Sequence, residues 1–251
     1  MTRHRLVLLH GFTQSAGAMD DFSRQILDLD HDLEVLCVDL PGHGSRHEET
    51  LDLIAGADAL AAAHGPAIWV GYSLGGRQAL HLAVHRPEVV RGLVLISTTA
   101  GIEDDTERLR RREDDDRLAE RIETIGLDAF LDEWLAGPLF AGLVDTPAVT
   151  AARRANTASG LATSLRLAGT GAQASLWGSL PEINVPTLVL TGERDEKFTA
   201  IGRRLIEEIP GANSALVEGA GHSLHLEKPA NAARLVVDWL ASIDPVIDGD
   251  A

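Results

Sequence analysis

Gly71-Tyr72-Ser73-Leu74-Gly75 follows directly on the apolar run 67–70 and leads directly into a helical pattern over 76–85. A G-x-S-x-G pentapeptide between a strand and a helix reads as a nucleophile elbow, in which the chain turns so sharply that the serine backbone is strained and its hydroxyl stands at the helix N-terminus. Glycines flank the serine because a β-carbon at those positions collides with neighbouring elements. Five residues alone are as often an ordinary glycine turn, so their meaning depends on what the rest of the chain brings to them.

Working outward, short apolar runs at 5–10, 34–39, 67–72, 92–97, 187–191 and 214–218 read as strands. Most are apolar on both faces, as strands buried inside a parallel sheet are. Helical patterns at 51–63, 76–85, 199–208 and 230–242 alternate with them, the last with Leu235, Trp239 and Leu240 at helical spacing. This alternation predicts an α/β fold, a mostly parallel sheet flanked by helices. Between Thr98 and Pro186 the strand rhythm stops. A charged stretch over 103–123, then helical segments broken by Gly137, Pro138 and Pro147, predict a helical cap insertion at 98–185 between core segments 1–97 and 186–251. Most acidic residues of that stretch read as a solvated helix face.

The composition narrows the function classes. With 45% hydrophobic residues in 251, divided into short runs, the chain can bury a core without membrane insertion. The apolar run 6–9 is too short for the core of an export signal, and the single cysteine, Cys37, suits a reducing cytoplasm. A formal charge of −16 repels nucleic acid and points to a small-molecule partner. It does not exclude an anionic one, because a local arginine cluster reverses the field inside a pocket. Oligomeric state is left open.

A serine hydroxyl needs an imidazole to take its proton. His222, in the glycine-flanked turn 219–222 beyond the last strand, stands at the carboxyl edge where such sheets place their sites. His225 is its nearest rival; His43, His47, His64, His81 and His85 read as surface residues of loops and helices. Asp195 follows the preceding strand, with Glu193 as a second acid, so the order is Ser, Asp, His. His10-Gly11-Phe12 after the first strand supplies a loop whose Phe12 N–H, with that of Leu74, suits a developing oxyanion. Arg77 lies four residues past the serine, about one helical turn on. Arg108, Arg110, Arg111 and Arg112 cluster in the insertion, with Arg153 and Arg154 further along.

With these residues in place, and with the loop Asp39-Leu40-Pro41-Gly42-His43-Gly44, the chain resembles the α/β-hydrolase superfamily over nearly its whole length. The segments 71–77, 169–177, 192–198 and 130–140 resemble one branch of it, the pyruvate-eliminating 2-succinyl-6-hydroxy-2,4-cyclohexadiene-1-carboxylate synthases of menaquinone biosynthesis. That resemblance implies a carbon–oxygen lyase in which Ser73, Asp195 and His222 are catalytic and Phe12 and Leu74 form the oxyanion hole. It implies that Arg77, Arg111 and Arg154 bind substrate carboxylates, with Tyr72, Trp134 and Lys197 lining the site. In the register of Arg111, the neighbours Arg108, Arg110 and Arg112 remain alternatives. The substrate class carries three carboxylates, which guanidinium groups bind through paired hydrogen bonds. No metal or other cofactor is expected. The rival expectations are a serine hydrolase of a small ester or lactone and a non-catalytic ligand-binding protein on the same fold.

Overall fold

A computed structural model of the chain describes residues 4–247. The six apolar runs form six strands, β1 (Arg5–Leu9), β2 (Glu34–Val38), β3 (Ala67–Tyr72), β4 (Val90–Ile96), β5 (Thr187–Gly192) and β6 (Asn213–Val217). They lie in the order β2-β1-β3-β4-β5-β6, every neighbouring pair parallel. Every residue of β3 and β5 is buried, whereas the edge strands β2 and β6 are partly open. Parallel strands need crossovers, and those crossovers are the helices that cover both faces.

Side-chain alternation divides the core in two. Val7, Leu9, Trp69, Leu93 and Leu95 face α2 (Leu53–His64), α3 (Leu74–His85) and α8 (Glu196–Glu208). Leu6, Leu8, Ile68, Val70, Val94 and Ile96 face α1 (Asp20–Leu29) and α10 (Pro229–Ile247). Each fully buried aliphatic side chain contributes about 1.5–3 kcal/mol relative to exposure, so these two layers dominate stability. Helix α1 has no counterpart among the sequence expectations. Phe22 and Ile26, one turn apart, are its buried residues, with Leu27 and Leu29 packed beside them, and that helical spacing was the available signal.

Between β4 and β5 the chain forms α4 (Asp105–Ile125), α5 (Leu127–Leu135), α6 (Pro147–Arg154) and α7 (Ala158–Ala168). Asp104, Thr146 and Thr157 cap α4, α6 and α7 by accepting N–H groups of the first turn. Helices α4 and α7 pack through Ala119, Ile122, Leu161, Ala162 and Leu165, joined by Phe130 of α5. Helix α6 instead sits on the core through Val149 and Ala152 against Ala18. The short α9 (Leu224–Glu227) precedes α10. Among the described residues no helix is long and apolar enough to cross a membrane.

Candidate active site

The turn from β3 into α3 places Ser73 at φ 50°, ψ −104°, a backbone conformation that a non-glycine residue holds only when its surroundings enforce it. A β-carbon on Gly71 would stand 2.3 Å from the Gly75 carbonyl oxygen, and one on Gly75 would stand 2.2 Å from that of Leu9. The strained serine is held by its own N–H, which donates to the Ile96 carbonyl at 2.9 Å, and by Thr98 Oγ1, which donates to the Ser73 carbonyl at 2.7 Å.

His222 and Asp195 converge on this serine from the loops after β6 and β5. Asp195 caps α8, its Oδ1 accepting the Phe198 N–H at 3.2 Å, while its Oδ2 lies 2.7 Å from His222 Nδ1. A carboxylate only accepts, so Nδ1 carries the proton and Nε2, 3.4 Å from Ser73 Oγ, presents its lone pair to the hydroxyl. Catalytic hydrogen bonds of this length tighten when substrate is bound. Both partners are buried, and Phe198 packs on the imidazole at 4.4 Å between centroids. The alternatives fall away on geometry. Glu193 accepts the Gly219 N–H at 2.8 Å, and His225 is buried beneath Tyr72 with its Nε2 near Gln14.

The loop after β1 carries Phe12 to the cavity that also holds Ser73 and Leu74. Among the described residues neither the Phe12 nor the Leu74 N–H has a protein acceptor. His10 supports this loop from below: its Nδ1 faces the Gly11 carbonyl at 2.8 Å and its Nε2 accepts the Leu40 N–H at 3.0 Å. His43 is not the surface residue expected, nor is His81; both are buried, His43 stacking edge-on against His10 and Phe12. For His43 the reason is that Asn156, Gly160 and Ser164 lie against its loop, whereas His81 is buried within α3.

Burial pushes the pKa of His10 down to about 4, and those of His43 and His225 down to about 3. As pH falls below 6.5 the unfolded chain takes up protons at these positions that the folded chain does not. Holding them neutral therefore costs no stability well above pH 6.5, and stability falls as pH drops through 6.5 toward 4 for His10 and toward 3 for His43 and His225, by up to about 2 kcal/mol each at pH 5. Urea unfolding from pH 7.5 to 5 is expected to show that decline; a flat profile would mean these imidazoles are not held neutral.

The cavity beside Ser73 measures about 180 Å³, roofed by Trp134 and Leu139 and by the last turns of α7. Arg77, Arg111 and Lys197 line it, and among the described residues no carboxylate does. Arg77 is buried, and Nη1 donates to the Ala168 carbonyl at 2.6 Å, at the negative end of α7, and to Gln173 Oε1 at 3.3 Å. Burial and the neighbouring Arg111 lower its pKa to about 10, so it stays charged at neutral pH. Arg111 is held by Asp115, Nε to Oδ1 at 2.8 Å, and Asp115 Oδ2 also accepts the Gly171 N–H at 3.0 Å.

Of the expected ligands, Phe12, Leu74, Arg77, Arg111, Trp134 and Lys197 line this cavity. Arg154 does not. It is exposed and pairs with Asp128 at 3.0 Å, because consecutive helical residues point about 100° apart and α6 turns Arg153 inward instead. Tyr72 is also displaced: strand alternation sends its ring under His222 and His225, and its hydroxyl hydrogen-bonds Ser223 Oγ at 2.8 Å. Asp115 is 3% exposed, although the charged stretch that holds it predicts a solvated face. The i, i+4 spacing of Arg111 and Asp115 was the available signal.

The alpha/beta hydrolase family model matches residues 6–235. A Bacillus subtilis protein provisionally named a 2-succinyl-6-hydroxy-2,4-cyclohexadiene-1-carboxylate synthase is 37% identical, covering 95% of this chain and 90% of its own. The synthase of that name from Klebsiella pneumoniae subsp. pneumoniae is 33% identical over 94% of each chain. The structure of MenH from S. aureus superposes with a TM-score of 0.88 at 31% identity, covering 96% of this chain and 95% of that one.

Proposed function

The chain belongs to the α/β-hydrolase family and, within it, to the 2-succinyl-6-hydroxy-2,4-cyclohexadiene-1-carboxylate synthases, and from that membership we propose that it eliminates pyruvate from 2-succinyl-5-enolpyruvyl-6-hydroxy-3-cyclohexene-1-carboxylate with Ser73 as the base. The observation that carries this reading is the charge of the cavity. Among the described residues of a chain of net charge −16, the space beside the strained serine is lined by Arg77, Arg111 and Lys197 without a carboxylate, Asp115 holding Arg111 and the acidic side chains Glu103, Asp104, Glu107 and Asp114 lining the adjoining cleft. That arrangement suits a substrate with several carboxylates and serves no purpose for a neutral ester.

In this reading Asp195 holds the His222 Nδ1–H, and Nε2 draws the proton from Ser73 Oγ. The serine oxygen removes the ring proton beside the succinyl ketone. Negative charge then develops on the ketone oxygen, toward which the Phe12 and Leu74 N–H groups are free to point; each such donor lowers the barrier by about 3–4 kcal/mol. The charge collapses through the ring double bond, the carbon–oxygen bond to the enolpyruvyl group breaks, and the proton held on His222 passes to the departing enolate to give pyruvate. No acyl-enzyme forms. Residues 98–185 act as a cap that closes the carboxylates in with Arg77, Arg111 and Lys197 over a core made of 1–97 and 186–251.

The test is a comparison of two substrates on the purified protein. Pyruvate release from the cyclohexene precursor, followed by a coupled dehydrogenase, is expected to exceed hydrolysis of p-nitrophenyl esters by a wide margin in kcat/KM. Ready ester hydrolysis with no pyruvate would assign the same side chains to a hydrolase. Because Arg154 stands outside the cavity, Arg154→Ala is expected to leave kcat/KM for pyruvate release nearly unchanged, as loss of an exposed ion pair worth about 0–1 kcal/mol should. A large loss would return Arg154 to the site.

A further inference from the structure

Thr13 directly follows Phe12 and is held at φ 67°. A β-branched residue in the left-handed region is a genuine outlier, and strain of this kind persists only where the surroundings over-determine it. Here the surroundings belong to the insertion. Arg153, at the end of α6, donates from Nη1 to Thr13 Oγ1 at 2.7 Å, and Asn156 Nδ2 donates to the Thr13 carbonyl at 3.0 Å and toward that of Gln14 at 3.3 Å. Asn156 Oδ1 accepts the Gly44 N–H at 2.9 Å, and Ser15 Oγ donates to the Ala152 carbonyl at 2.7 Å. The loop also closes on itself, Gly11 N–H to Gln14 Oε1 and Gln14 N–H to the Gly11 carbonyl, both at 3.1 Å.

Arg153 is 1% exposed, and its charge is balanced by Asp145, Nε to Oδ2 at 2.6 Å. Burying an ion pair is costly and is weak evidence of a stabilising purpose. This guanidinium does not line the cavity beside Ser73, so it is not in place to meet a substrate carboxylate. Among the described residues, its side-chain hydrogen bond outside the ion pair with Asp145 goes to the hydroxyl of the strained threonine.

We propose that Arg153, with Asn156, is a positioning residue: it clamps Thr13 in its left-handed backbone and so aims the Phe12 N–H at the oxyanion, making α6 a structural part of the oxyanion hole. This rests on the reading of Phe12 as an oxyanion donor. It separates three roles for a buried arginine by what each does to kinetics. A carboxylate ligand governs KM, a purely structural group governs only stability, and a group that aims an oxyanion donor governs kcat.

The decisive variants are Thr13→Val, which removes the acceptor oxygen but keeps the branched shape and every charge, and Arg153→Lys, which keeps the charge but cannot reach both Asp145 and Thr13. Each is expected to lower kcat for pyruvate release by about tenfold or more with KM unchanged, since loss of one oxyanion donor costs up to about 10²–10³. The double variant should be little worse than the worse single one, because both break one clamp. Thr13→Ser, which keeps the oxygen, should recover most of kcat. If Arg153→Lys does not fold, the contrast between Thr13→Val and Thr13→Ser still decides. A raised KM at constant kcat, a fall in Tm with unchanged kcat, or equal kcat in the valine and serine variants would each overturn the proposal. Should the wild type release no pyruvate, the function proposed above fails separately; p-nitrophenyl ester hydrolysis also develops an oxyanion, and the same kcat contrast is then expected there.

Discussion

Replacing Ser73 by alanine is expected to lower kcat for pyruvate release by about 10³-fold while leaving KM unchanged, because proton transfer by a positioned group contributes about 10²–10⁴ and the hydroxyl takes little part in ground-state binding. The geometry explains why the loss should be so nearly complete. Ser73 Oγ lies 3.4 Å from His222 Nε2 at the wall of the cavity that both residues line, and the elbow holds it there by a backbone conformation that alanine can share within the same enforcing contacts. The fold should therefore survive, and the loss should be chemical. His222→Gln is expected to match it, since Asp195 has then no imidazole to orient. If Ser73→Ala keeps more than a tenth of the wild-type kcat, some other group removes the ring proton.

The second large effect is expected at Arg77. Truncation to alanine should reduce kcat/KM for the precursor by about 10²-fold, as removal of one partner of a desolvated charge interaction does. Two consequences of burial make this more than the loss of a surface cation. The guanidinium is fixed before substrate arrives, by the Ala168 carbonyl and Gln173, so little side-chain freedom remains to be lost on binding. It also faces Arg111, whose proximity helps lower its pKa to about 10, and an incoming carboxylate relieves that repulsion. Arg77→Lys should recover only part of the activity, because an ammonium lacks the planar pair of donors. With a neutral p-nitrophenyl ester as substrate the same variants should change kcat/KM far less. Equal losses on both substrates would mean that Arg77 supports the site rather than binds a carboxylate.

Much of this architecture was legible in the sequence, because parallel strands buried on both faces leave continuous apolar runs and glycines mark the turns between them. The elbow was legible for the same reason: Gly71 and Gly75 have no room for a β-carbon, so the motif is a record of close packing. His222 and Asp195 could be chosen over His225 and Glu193 from chain order and strand context. What escaped reading depends on registers that composition does not encode. One step along α6 separates the buried Arg153 from the exposed Arg154, and one step along β3 turns Tyr72 away from the cavity. Asp115 was hidden among like residues of a charged helix, and Thr13 carries no sequence mark of a positive φ; both become visible only when the insertion is laid over the core. The buried His43 and His81 were missed for that same lack of tertiary context.

In the proposed mechanism Ser73 removes a ring proton and is not itself acylated. This is tested most directly by single-turnover release of pyruvate, with enzyme in excess, from precursor carrying deuterium at the ring carbon beside the succinyl ketone. The deuterated precursor is expected to react more slowly, by a primary isotope effect, and the protein to keep its unmodified mass throughout. Equal rates for the two precursors, together with an adduct on Ser73, would contradict that mechanism.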